Sequence, residues 1–127
     1  MVYIMDYRDL LAYKKSFALA MRIFDVSKQF PKEEQYSLTD QIRRSSRSVT
    51  VTITELYRKR RYPKNFLSKL TDAEAENSET QVWLDFSIAC GYMKEAEYEE
   101  LTAINNEVGK LIHYMMNNQD KFGSSKI

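Results

Sequence analysis

The stretch Val49-Thr50-Val51-Thr52-Ile53-Thr54 decides how this chain folds. It alternates strictly between apolar and hydroxyl side chains, and every residue is β-branched. Taken alone it reads as a strand. Two arguments turn it into helix. Its neighbours on both sides are helix formers with no turn signal, and a lone strand would find nothing to pair with. At helical spacing Leu38, Ile42, Val49, Ile53 and Leu56 or Tyr57 form one stripe, with small Ser45 and Ser46 filling its gap. Ser37 followed by Asp40 resembles a capping box at the start of this segment.

Outward from there the chain divides at Phe30-Pro31, Tyr62-Pro63 and Gly91-Tyr92. Four helices are expected, over about 7–29, 38–60, 63–90 and 95–118, with 119–127 as a loose tail. In the first, Leu10, Tyr13, Phe17, Ala20 and Phe24 step by three and four, and Leu19, Ile23 and Val26 form an adjacent stripe. In the third, Pro63 suits the first helical position. Phe66, Leu70, Ala73, Asn77, Thr80, Leu84 and Ile88 carry its apolar rhythm. Gly91 and Tyr92 fit a Schellman ending. Leu101, Ile104, Val108, Leu111 and Met115 mark the fourth. With short connections, the expected fold is all-α: one domain, an antiparallel up-and-down four-helix bundle.

The bulk numbers agree with one compact helical domain. There are 127 residues, of which only 3 are Gly and 2 Pro, so turns are few. The single cysteine, Cys90, excludes an intramolecular disulfide and reads as a buried, inert thiol. No apolar run approaches the roughly 20 residues of a membrane span. Met1 to Asp6 lacks the basic leader and apolar stretch of a signal peptide, so a cytoplasmic protein is expected.

The net charge of +1 hides a sharp division. Residues 41–69 carry 9 Lys/Arg against 1 Glu, and residues 70–107 carry 10 Asp/Glu against 1 Lys. In the basic block Arg43, Arg44 and Arg47 lie on the second helix. Arg58, Lys59, Arg60, Arg61 and Lys64 gather around the following turn, with Tyr57 and Tyr62 between them. Cations interleaved with aromatic rings suit phosphates and unpaired bases, so RNA or DNA is one expected partner. The alternative is structural: helix dipoles favour these cations, and the acidic block could pair with them, within the chain or across a subunit interface. Asp72, Glu74, Glu76 and Glu79 could face a hard cation, but a di-iron bundle site needs Glu-x-x-His pairs, and His113 is the only histidine. It is expected at the surface or at a boundary of the fourth helix. There is no phosphate loop, nucleophile elbow or zinc cluster, so no cofactor, no metal and no enzyme activity are expected. Sixteen aromatic residues (9 Tyr, 6 Phe, 1 Trp) exceed what one narrow core stripe needs. Trp83, flanked by Val82 and Leu84, puts apolar surface on a second face, and Trp83, Tyr57 and Tyr62 are candidates for a subunit interface.

Phe30-Pro31, Glu34, Tyr36, Leu38, Gln41-Ile42-Arg43-Arg44-Ser45, Ser48-Val49, Ile53 and Glu55, then Phe66, Leu70, Ala73, Glu79, Leu84, Gly91-Tyr92 and Leu101, resemble the bacterial four helix bundle family, also called 23S rRNA intervening-sequence proteins. The likeness runs from about Tyr7 to Asn118. Where that family usually has Asn-Ile-Ala-Glu-Gly, this chain has Thr52-Ile53-Thr54-Glu55-Leu56, so the Asn and Gly are replaced. The resemblance implies an up-and-down bundle assembled as a ring-like homo-oligomer, a pentamer. It also implies kinship to the nucleic-acid-binding accessory protein of reverse transcriptases in diversity-generating retroelements. It brings no catalytic residues. A non-enzymatic oligomeric scaffold or adaptor is therefore the expected role.

Overall fold

The computed structural model describes residues 6–123. Four helices run through them: α1 (Leu11–Ser27), α2 (Leu38–Arg58), α3 (Pro63–Ala89) and α4 (Glu95–Asn117). Short 3-10 turns occupy Tyr7–Asp9, Lys32–Glu34 and Gln119–Phe122. Each helix packs on its chain neighbours, and α1 against α4 closes the square.

The Val49–Thr54 segment lies inside α2. The helical period re-sorts its two-residue alternation. Val49 and Ile53 face the core, while Val51 points outward and is 58% exposed. The hydroxyls are accommodated without a strand ladder: Thr54 Oγ1 donates to the Thr50 carbonyl, and Thr50 Oγ1 donates to Ser16 Oγ across the α1–α2 contact.

The core has two apolar clusters, one at each end. One gathers Leu10, Ile53, Leu56, Phe66, Leu70, Val108 and Ile112. The other gathers Leu19, Ile23, Phe30, Ile42, Leu84 and Leu101. Between them lies a buried polar layer drawn from all four helices. Thr50 bonds Ser16, and Thr80 Oγ1 donates to Ser45 Oγ at 3.0 Å. Asn77 Nδ2 donates to the Asn105 side-chain and main-chain oxygens, and Asn105 Nδ2 donates back to the Asn77 carbonyl. Paired buried polar groups lose their partners if a helix slips, so this layer fixes register.

Several expectations need correction. Asp6 caps the 3-10 turn at Tyr7–Asp9, and α1 begins only at Leu11. Its buried line is Ala12, Ser16, Leu19, Ile23 and Val26, whereas Phe17 is half exposed. The expected stripe of Leu19, Ile23 and Val26 is buried, as are Leu10 and Ala20 of the other; its rings turn away, Tyr13 and Phe17 to the α1–α2 groove and Phe24 to a place under Arg43 and Arg47. Ser37 makes no cap with Asp40. Its hydroxyl donates instead to Glu34, whose carboxylate also accepts from the Leu38 amide. Of the tail expected over 119–127, Gln119–Phe122 form a turn and Phe122 packs on the core edge and edge-on to Tyr114, whereas 124–127 lie outside the described residues. The Schellman ending does form. Gly91 has φ of +76°, Tyr92 N donates to Ser87 O, and Gly91 N donates to Ile88 O. The Tyr92 ring rests on Phe30, and its hydroxyl donates to Glu34 at 2.9 Å. That bond pushes the Tyr92 pKa up to about 12.

Candidate partner-binding surfaces

The basic block does not neutralise the acidic block inside the chain. Among the described residues, α2 and α3 share one ion pair, Lys69–Glu55 at 3.6 Å, with the cation on α3. Arg44 reaches Asp40 on its own helix at 3.9 Å. None of Arg43, Arg47, Arg58, Lys59, Arg60, Arg61 and Lys64 forms an ion pair there. Four of these arginines lie over aromatic rings instead. Arg43 and Arg47 sit over Phe24, at 4.8 and 5.6 Å from its centroid. Arg43 also donates to Ser27 Oγ at 2.8 Å. Arg58 lies over Tyr7, and Arg60 over Tyr57 at 4.0 Å while donating to the Tyr57 carbonyl. A guanidinium stacked this way keeps its charge and most of its donors available to a partner.

The aromatic candidates separate. Tyr57 is a core residue under Arg60, so it offers no surface for stacking or for a subunit contact. Tyr62 is exposed beside Pro63 and Lys64 in the α2–α3 turn. Trp83 is half buried on the flank of α3. Its indole N–H donates to Glu79, and its ring lies 5.8 Å from Phe86.

Two apolar surfaces stand out. On α3, Leu67, Thr71, Ala75, Val82, Phe86 and Ala89 line the outward side opposite the core stripe; each is exposed and none is charged. The charges of α3 after Lys64 fall on its flanks rather than on this line, which is why the helix looked apolar beyond one stripe. The second surface is a groove of about 390 Å³ between α1 and α2, lined by Tyr13, Phe17, Ala20, Met21, Arg47 and Val51. Residue periodicity missed it, because Tyr13, Phe17 and Ala20 were assigned to the core and Met21 and Val51 to no face. The signal that could have found it was Phe17 and Met21, one turn apart, facing Val51 across the helix pair.

Carboxylates are distributed unevenly around these surfaces. Of those on α4, two are engaged by α1: Arg22 holds Glu100 through two bonds of 2.8 and 2.9 Å, and Lys15 reaches Glu107. The bidentate contact lowers the Glu100 pKa. On α3, by contrast, Asp72, Glu79 and Asp85 have no ion pair among the described residues. Asp85 accepts from the Tyr98 hydroxyl at 2.7 Å, and that bond raises the Tyr98 pKa. His113 is exposed, 3.4 Å from Glu74. No group of three or more His, Cys, Asp or Glu is placed to hold a metal among the described residues. Cys90 is exposed rather than buried. The inward line of α3 ends at Ser87, and Cys90 lies past it at the C-cap, where no helix covers it.

Comparison with known proteins places the chain in a family. The model of the 23S rRNA-intervening sequence proteins matches residues 8–114. The chain belongs to that family. A solved relative, a protein of unknown function from the S23 ribosomal protein family of Bacteroides thetaiotaomicron, is 27% identical, with a TM-score of 0.76. The match covers 84% of this chain and 98% of that one. No curated protein matches. The family match spans all four helices, including the departure at Thr52 and Leu56. Both are buried here, Thr52 against α3 and Leu56 in the core. No described helix is long and apolar enough to cross a membrane.

Proposed function

We propose that this 23S rRNA-intervening sequence family protein is a non-enzymatic scaffold or adaptor that works as a homo-oligomer, closing into a ring of the pentameric kind. The observation that carries this reading is the outward side of α3. It is uncharged from Leu67 to Ala89, and Val82 and Phe86 are 48% and 52% exposed on a helix whose other side is fully packed. An apolar line of this length is the kind of surface that a subunit contact covers. Light scattering of the full chain at tens of micromolar tests it. A mass several times 15.0 kDa is expected, and a monomer would overturn the reading.

A second reading is favoured by a separate observation. Arg58, Arg61 and Lys64 crowd one turn beside exposed Tyr62 and have no carboxylate partner among the described residues. This turn suits RNA or DNA phosphates, with Tyr62 free to stack on a base. Salt titration of RNA binding by the native chain and by an Arg58→Glu, Arg60→Glu, Arg61→Glu variant would test it. Weaker binding and a shallower salt slope in the variant are expected. Equal curves would remove the turn from the account.

A further inference from the structure

The α3 ridge and the α1–α2 groove differ in shape and in the sign of their rims. On the ridge, Val82 and Phe86 stand out as knobs. By helical position, Asp72 and Glu79 flank them on the α2 side and Asp85 on the α4 side. Of the two cations on the same helix, Lys69 is taken up by Glu55, and Lys64 stands at the N-terminal end, a turn ahead of the ridge. The groove is a hollow of about 390 Å³ floored by Phe17, Met21 and Val51. Its rim is cationic: Arg43 and Arg47 lie over Phe24, and Arg58 lies over Tyr7. The nearby acids Asp25 and Asp40 already have cation partners in Lys28 and Arg44. One surface is therefore an apolar knob with an acidic border, and the other is an apolar hollow with a basic border.

We infer that the α3 ridge of one copy seats in the α1–α2 groove of the next copy, head to tail. The inference rests on the oligomeric reading above and names its contact. Apolar side chains meet at the centre, and the carboxylates of α3 meet the arginines of α1–α2 at the rim, where opposite charge sets orientation. Because the two surfaces are different patches of one subunit, each copy uses both. Such a contact repeats until the ring closes. It also gives the α3 carboxylates Asp72, Glu79 and Asp85 and the arginines of α2 that lack ion pairs among the described residues a partner in the next copy.

Two variants with like charges set against the partner rim test this. One carries Val82→Lys with Phe86→Lys, which spoils the ridge. The other carries Phe17→Asp with Val51→Asp, which spoils the groove. All four positions are exposed, and circular dichroism with a cooperative melt verifies each fold. If a variant fails to fold, Arg43→Glu with Arg47→Glu replaces the groove variant and Glu79→Arg with Asp85→Arg the ridge variant. Where native chain assembles, each variant alone is expected to be a monomer under the same conditions. Their equimolar mixture is expected to assemble beyond the monomer, because the intact ridge of one variant meets the intact groove of the other. The inference is overturned if either variant alone assembles like the native chain. It is equally overturned if both are monomers and the mixture stays monomeric. A monomeric native chain would instead sink the oligomeric reading itself.

Discussion

Gly109 lies in the interior of α4, where alanine is ordinarily favoured by about 1 kcal/mol. Here a Cβ would come within 2.8 Å of Asn77 Oδ1. Asn77 cannot withdraw without loosening its bonds to Asn105. Each buried bond is worth about 1 kcal/mol, so Gly109→Ala should lower stability by about 1 kcal/mol in a urea titration despite the better propensity. A gain would mean that the Asn pair is not holding. A second residue of this kind is Glu76, which faces α2 with one carboxylate oxygen buried and unpartnered. Burial raises its pKa above 4.5; the Thr52 hydroxyl partly offsets this, and Asp72 adds to it. The folded state thus holds the proton more tightly than the unfolded one. The stabilisation from this group is full below the ordinary value and is lost as pH rises from there through the folded value. Glu76→Gln should therefore raise Tm at about pH 7 and change it little at about pH 4. A lower Tm at neutral pH would contradict this. At this scale the sequence was only half legible. Asn77 fell on the inward line of the third helix, but Asn105 lay between the apolar beats at Leu101, Ile104 and Val108 and drew no notice.

At the scale of the element, α2 shows why local pattern misleads. Six β-branched residues lower helix propensity, yet Val49 and Ile53 bury fully and the threonine hydroxyls find acceptors, so tertiary packing decides. The helix ends were legible where chemistry is stringent. Pro63 opens α3, and Gly91 closes it in the left-handed region. Nothing lies within 4 Å of a Cβ built on Gly91, so replacement there costs backbone conformation alone. Gly91→Ala should destabilise by about 1 kcal/mol, and Gly91→Asn by less. Thermal melts of the pair would check this, and an unchanged Tm for the alanine variant would contradict it. Helix starts set by a side chain from upstream, as Glu34 does for α2, were not legible, because a capping signature looks only inside the next three residues. The first helix was misjudged for a different reason. Tyr13, Phe17 and Phe24 repeat at the right spacing, but small Ala12 and Ser16 are what allow α1 to approach its neighbours.

For the whole molecule, the bundle followed from four periodic segments and three breaks, and the uneven charge was visible as two opposed blocks. What the linear chain could not disclose was which charges are already satisfied. Folding brings Glu100 and Glu107 of α4 to α1 and leaves Asp72, Glu79 and Asp85 of α3 without an ion pair among the described residues. It also leaves the arginines of α2 stacked on rings rather than paired. A single copy therefore carries two unlike apolar patches with opposite rims, the two faces that the proposed contact between copies would join. Native mass spectrometry of the full-length chain tests that directly. A single closed assembly of more than two copies, at an integral multiple of 15.0 kDa with no open ladder of sizes, is the predicted result. A spectrum holding only the monomer, at concentrations of tens of micromolar and low salt, would contradict it.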